Sequence, residues 1–324
     1  MGFYPLDALV HEAQRRGIEL RKPDVNRSGV DCRVERVGDG DEDLEVQIGL
    51  GYVNGLRKVD ATAVVEERER SGRFSSLAEL ASRAGIRDDA LGRLAWAGAC
   101  ESIEPDSEGA RREARRIALW RLGVASGAGP RGKLSLPLPL PDAPELRELD
   151  DWEVAVADYA STGMTLGTHP VALLRDELEG VVPNADLAVL PDRRSLEIAG
   201  VVVARQRPGT AKGIVFMLLE DETGVANVIV PPPVYTECRL AVRTAAYVRV
   251  EGRLERRGKV INMLAKSVSP LSMPGEPQAE VRTIEPDPVH ETGRPLEPAE
   301  PARVAAAGAL AAVAPAAQSF GGRG

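Results

Sequence analysis

Residues 195–230 read SLEIAGVVVARQRPGTAKGIVFMLLEDETGVANVIV, and this stretch decides the fold. An apolar run over Leu196–Ala204 is followed by a basic loop, Arg205–Gly213. A second apolar run covers Ile214–Glu220, and the turn string Asp221-Glu222-Thr223-Gly224 leads into a third, Val225–Val230. Short runs rich in β-branched residues and bounded by Gly and Pro predict strands. Pro231-Pro232-Pro233 closes the third run, and a short helix is expected around Thr236–Thr244. Two more strands, Ala246–Leu254 and Val260–Ala265, are joined by Glu255-Arg256-Arg257-Gly258-Lys259. Five strands with one helix between the third and fourth follow the order of an OB-type β-barrel, here placed at residues 195–269.

Upstream, the pattern is helical. Residues 45–125 read as a unit of helices joined by tight Gly-bearing turns. A brief strand carrying Val46, Ile48 and Leu50 precedes them. One helix is predicted over Val59–Arg70 and stops at Ser71-Gly72. The next starts at Ser76, with Glu79 three residues on in the spacing of a capping box. Gly85 ends it. A third, capped by Asp88 or Asp89, carries Leu91, Leu94 and Ala95, and a basic helix covers 111–122. Residues 1–44 open with a helix from Pro5 and pass through an extended Pro23–Ser28 segment. Residues 126–194 are a Pro-rich linker followed by helices, with Thr168-His169-Pro170 introducing a short one. Residues 270–324, rich in Pro, Glu and Ala, are expected to be a disordered tail. The fold class predicted is α+β and multidomain, a helix-hairpin-helix unit followed by a five-stranded OB-type β-barrel.

The 324 residues carry a net charge of −8, which taken whole argues against nucleic acid. Divided along the chain, the charge says something else. Residues 127–194 hold 6 basic and 12 acidic residues, whereas 195–269 hold 11 basic and 7 acidic, a net +4. Arg205, Arg207 and Lys212 fall in the loop after the first barrel strand. Arg256, Arg257 and Lys259 fall between the fourth and fifth. Those two loops flank the face by which OB folds take oligonucleotides. Aromatic residues are only 4% of the chain, and Phe216, Tyr235 and Tyr247 are the candidates here. Binding is therefore expected to be led by electrostatics, with little stacking and a strong salt dependence.

In the helical unit, Gly49-Leu50-Gly51-Tyr52-Val53-Asn54-Gly55 has a G-x-G-x-x-x-G spacing with no alternating strands and helices around it, which argues against a dinucleotide site. It reads better as the hairpin of a helix-hairpin-helix. There Gly55 lets backbone N–H groups and the next helix N-terminus approach a DNA phosphate, with Arg57 and Lys58 adding charge. Asp39, Asp41 and Asp43 alternate but lack the rest of a calcium loop, so a solvated turn is expected. Cys32, Cys100 and Cys238 are isolated, and no G-x-S-x-G, H-E-x-x-H or P-loop occurs. No catalytic residue and no metal site is assigned, and His169 is read as structural. With no apolar run of membrane length and no signal-peptide pattern, a cytoplasmic setting is expected.

Several strings together carry a resemblance. Gly2-Phe3-Tyr4-Pro5, Pro23-Asp24-Val25-Asn26-Arg27-Ser28, Leu94-Ala95-Trp96-Ala97-Gly98-Ala99 and Thr168-His169-Pro170 resemble bacterial C-family DNA polymerases. So do Arg205 through Gly213 and Glu220 through Gly224, which look like the OB region of that family. The combination is most similar to the error-prone, damage-inducible relatives of the replicative alpha subunit, and covers about residues 1–270.

The resemblance implies translesion DNA synthesis, with duplex and single-stranded template DNA as partners. It also implies a Y-family-like partner protein, and through it the sliding clamp. It places residues 1–44 at the end of the polymerase fingers region. The palm carboxylates that hold two magnesium ions in the complete polymerase have no counterpart here. This chain by itself is therefore expected to hold DNA without polymerising. Met1 is then an internal methionine of a longer polymerase, or the start of a truncated or split gene. Two departures stand out. Gly55-Leu56-Arg57 replaces the family's usual Gly-Leu-Gly, and Gln318-Ser319-Phe320 falls short of a clamp-binding pentapeptide. Two other readings are an interaction scaffold of the mutagenesis machinery and a split polymerase subunit acting in trans.

Overall fold

The computed structural model describes residues 5–36, 44–103, 111–127, 143–144, 146–258, 260–271 and 318–321. The aspartate turn at 39–43, most of the Pro-rich linker and Lys259 lie outside the described residues.

The chain begins with α1 (Leu6–Arg15), then β1 (Glu19–Arg21), β2 (Arg33–Arg36) and β3 (Leu44–Gln47). β3 runs in the middle of this small sheet, parallel to β1 and antiparallel to β2. The boundary expected at 44/45 therefore falls inside one sheet. β1 and β2 were not anticipated, since three or four residues leave no room for a period-2 pattern to declare itself.

The helical unit follows as α2 (Lys58–Ser71), α3 (Leu77–Ala84), α4 (Asp88–Trp96) and α5 (Arg111–Gly127). Ser76 Oγ accepts from the Glu79 N–H at 3.1 Å, as its spacing predicts. The Glu79 carboxylate turns to Ser75 instead, accepting from its N–H at 2.7 Å, so the box is half closed. Gly85 ends α3 in the left-handed region at φ +62°. Arg87, not Asp88 or Asp89, occupies the N-cap position of α4, without a side-chain cap. Leu80, Leu91, Leu94 and Val64 form the core, joined by Val25 from the N-terminal segment and Leu122 from α5. α6 (Asp151–Thr162) opens with a full capping box, Asp150 with Glu153. α7 (Pro170–Leu173) is short and capped by His169.

The last region is the barrel: β4 (Ser195–Arg207), β5 (Val215–Glu220), β6 (Val225–Val230), α8 (Pro232–Glu237), α9 (Arg239–Thr244), β7 (Tyr247–Arg257) and β8 (Val260–Pro270). β4 pairs antiparallel with β5 and β7. β5 pairs antiparallel with β6, β6 parallel with β8, and β8 antiparallel with β7. Five strands thus close on themselves in OB order. Closure bends β4, whose first half pairs with β7 and second half with β5. At the bend sits Gly200, where a Cβ would stand 2.6 Å from the Glu220 carbonyl oxygen. Leu219, Val228, Val230, Val250, Leu254 and Met263 fill the interior.

The segment expected to be a tail starts with barrel residues, since Pro270 ends β8 and Leu271 is buried. Residues 318–321 form β9 (Gln318–Gly321), parallel to Ala204–Arg207 of β4, where disorder was expected. Residues 272–317 and 322–324 lie outside the described residues. No helix is long and apolar enough to cross a membrane, among the described residues.

Candidate nucleic-acid interface

The barrel divides the cations assigned from sequence into two groups. Arg207, Lys212 and Arg257 are exposed and have no ion-pair partner among the described residues. Arg207 lies over the Tyr235 ring, 4.5 Å from its centroid, a cation–π contact that holds the guanidinium in place without neutralising it. Lys212 sits at φ +50° at the tip of the β4–β5 loop, and Arg257 ends β7.

Arg205 and Arg256 are different: both are half-buried, and their guanidinium groups are engaged by backbone carbonyls. Arg205 Nε donates to the Val242 carbonyl at 2.8 Å, and Nη2 donates to that of Ala245. These are carbonyls at the end of α9, which a helix leaves unpaired. Burial pulls the Arg205 pKa down. Arg256 Nη2 donates to the Leu187 and Ala188 carbonyls at 2.8 and 2.6 Å, and Nε to that of Leu190 at 3.0 Å. Both side chains tie loops to the barrel.

In OB folds the loops that carry these cations flank the outer face of the second and third strands, here β5 and β6. Strand register places Phe216 between Gln206 and Ile229, and Leu218 beside Asn227. Phe216 is 38% exposed, which makes it the aromatic available for stacking on this face. Tyr247 is buried and supplies core.

At the hairpin, Gly55 is exposed at φ +73°, and a Cβ there would strike the Arg93 guanidinium. Arg93 Nη1 donates to the Asn54 carbonyl at 3.2 Å. The hairpin is further fixed by the Asn54 N–H, which donates to the Ser161 carbonyl at the end of α6 at 2.6 Å. Lys58 is exposed at the start of α2, whose N-cap Arg57 provides no side-chain cap. Arg57 instead forms a bidentate pair with Asp60, both contacts 2.7 Å, and so holds the Asp60 carboxyl below its usual range. Its charge is largely compensated. Arg93, exposed beside Gly55, is a further cation at the hairpin that the sequence reading does not single out. It lies 38 residues beyond Gly55, so no local spacing marks it.

A buried polar cluster joins α1 to the barrel. Arg15 Nη1 pairs with Glu220 Oε1 at 2.8 Å, and Tyr159 donates its hydroxyl to Asp7 Oδ2 at 2.8 Å. Burial pushes the Asp7 carboxyl up to about 6. His11 lies 3.5 Å from Asp7 and 3.7 Å from Glu220, and its ring centroid is 4.5 Å from that of His169. Nitrogen and oxygen atoms of His11, His169 and Glu220 all fall within 4.8 Å of one another, an arrangement that invites a metal. The tautomer argues otherwise. His169 Nδ1 accepts from the Val171 N–H at 3.1 Å, so the neutral ring carries its proton on Nε2, the atom facing the cluster. That atom is a donor, not a ligand. Nor is a nitrogen-rich, buried set the oxygen cage that magnesium takes.

The comparisons with known proteins agree with this division. A model described as "Helix-hairpin-helix motif" matches residues 17–113, and one described as "OB-fold nucleic acid binding domain" matches 196–271. The chain is 40% identical over 291 residues to an error-prone DNA polymerase of Anaeromyxobacter dehalogenans (strain 2CP-C), covering 87% of this chain and 25% of that protein. The chain is a homologue of the error-prone DNA polymerases. Error-prone DNA polymerase 3 of Agrobacterium fabrum is 34% identical over 84% of this chain and 25% of its own length. The error-prone DNA polymerase of Mycolicibacterium paratuberculosis is 36% identical over 84% and 24%. The chain spans about a quarter of the length of these error-prone polymerases. Among solved structures, asparaginyl-tRNA synthetase from Pyrococcus horikoshii matches 28% of this chain and 22% of its own, at 21% identity and a TM-score of 0.24.

Proposed function

We propose that this chain is the C-terminal, DNA-holding part of an error-prone polymerase acting in damage-induced translesion synthesis in the cytoplasm. The hairpin holds template duplex through Gly55, Lys58 and Arg93, and the barrel holds single-stranded template. One observation carries the reading. Arg207, Lys212 and Arg257 have no ion-pair partner among the described residues and stay exposed, while the neighbouring Arg205 and Arg256 are engaged by carbonyls. Cations kept free beside a partly exposed aromatic are what a phosphate backbone and its bases require. Nucleotidyl transfer, with its magnesium ions, belongs to the rest of the polymerase. Contact with a Y-family-like partner, and through it the clamp, is part of the same proposal and rests on the resemblance to error-prone polymerases rather than on any surface described above.

The test separates the two regions. Fluorescence anisotropy is measured on labelled duplex, single strand and primer–template junction. K58A/R93A is expected to weaken duplex binding and leave single strand alone, and R207A/K212A/R257A to do the reverse. If neither variant changes either affinity, the interface is misassigned. Partner capture that survives nuclease treatment, with no DNA bound, would favour the scaffold reading.

A further inference from the structure

A groove of about 230 Å³ runs beside the barrel face, between the Asn184–Ala188 turn and strands β6 and β8. None of its lining residues is charged. Its walls are aliphatic, with Leu187, Val225, Ile261 and Met263 among them. Its polar groups are carboxamides: Asn227 and Asn262, which are register partners across the parallel β6–β8 pair, and Asn184. The side chains of Asn227 and Asn262 have no hydrogen-bond partner among the described residues. Asn184 Oδ1 is buried and equally without one. An unpaired buried acceptor is costly unless a ligand or water completes it.

We infer that this groove is a subsite for one nucleobase of a bound single strand, with the carboxamides of Asn227 and Asn262 reading its edge. The inference rests on the single-strand role proposed for the barrel. A base is flat, uncharged, apolar on its faces and polar on its edge, which is the character of this lining. A phosphate would find no cation in it. The volume suits a single base better than a whole cofactor. An asparagine carboxamide offers a donor and an acceptor side by side, the pairing that recognises a base edge.

The wall is also held rigid. The Asn184 N–H donates to Asp221 Oδ2 at 2.8 Å, the Ala185 N–H to Thr223 Oγ1 at 3.0 Å, and Arg256 grips the Leu187 and Ala188 carbonyls. Such preorganisation favours specificity. Phe216 lies one rung away: it pairs with Ile229, two residues or about 7 Å along β6 from Asn227. A neighbouring base can stack there while its partner sits in the groove.

Anisotropy titrations with homopolymeric dA, dC and dT strands, and with a strand containing abasic positions, test this on the full chain. The wild type is expected to discriminate among bases by about tenfold and to bind the abasic strand weakest. N227A/N262A should level the series while keeping the wild-type melting temperature and affinity for the abasic strand. K212A/R257A should weaken all strands alike. The inference is overturned if the wild type binds every strand equally, if N227A/N262A keeps the preference, or if that variant melts early. It is also overturned if free mononucleotides displace the strand at matched base concentration, since the base would then not come from a strand. No binding to any strand would instead overturn the single-strand role itself.

Discussion

Arg205 and Arg207 stand two residues apart on one strand and do different work. Charge spacing alone marks both as phosphate ligands, because a sequence records a cation but not the carbonyls that fold around it. Arg205 is partly buried against the end of α9, and its loss strands the Val242 and Ala245 carbonyls. R205A is therefore expected to cost about 1–3 kcal/mol of stability in urea denaturation. Its single-strand affinity, corrected for the folded fraction, should stay unchanged. The buried Asp7 carboxyl adds a pH dependence. With its pKa at about 6 in the fold against 3.8 ordinarily, the native state holds a proton that the unfolded chain has released. Stability then falls as pH rises from about 4 to about 6. D7N should remove that fall and gain on the order of 2 kcal/mol over wild type at neutral pH. Denaturation curves across that range check it, and parallel pH profiles for the two proteins would refute it.

Elements were legible where a local rule fixes them. The barrel strands declared themselves through β-branched runs between turn signals, and Ser76, Gly85 and Thr168-His169-Pro170 each marked a helix end. The short strands β1 and β2 left no such mark, and β8 runs five residues beyond its expected end. Closure of the barrel depends on the bend in β4, which places Gly200 against the end of β5. G200A puts a methyl group 2.6 Å from the Glu220 carbonyl oxygen in a backbone that has no flexible side chain to yield. A loss of about 1–3 kcal/mol in the barrel's unfolding transition is expected. An unchanged melting curve would mean that the bend is softer than its register suggests.

At the scale of the whole molecule, the N-terminal helix and the barrel are connected by contacts that no spacing foretold. Asp7, His11 and Arg15 lie on one face of α1 and meet Glu220 at the end of β5, more than 200 residues away. Long-range pairing of this kind is invisible without the fold. The net −8 likewise concealed a basic barrel, and dividing it by segment brings out that region without showing which of its cations are engaged by neighbouring carbonyls. The central claim is that Arg207, Lys212 and Arg257 together hold a single strand by its phosphates. The most direct test is the slope of log affinity against log salt concentration for single-stranded DNA. At roughly 0.7 per neutralised phosphate, R207A/K212A/R257A should make that slope shallower by about two. An unchanged slope in the folded triple variant would contradict the account.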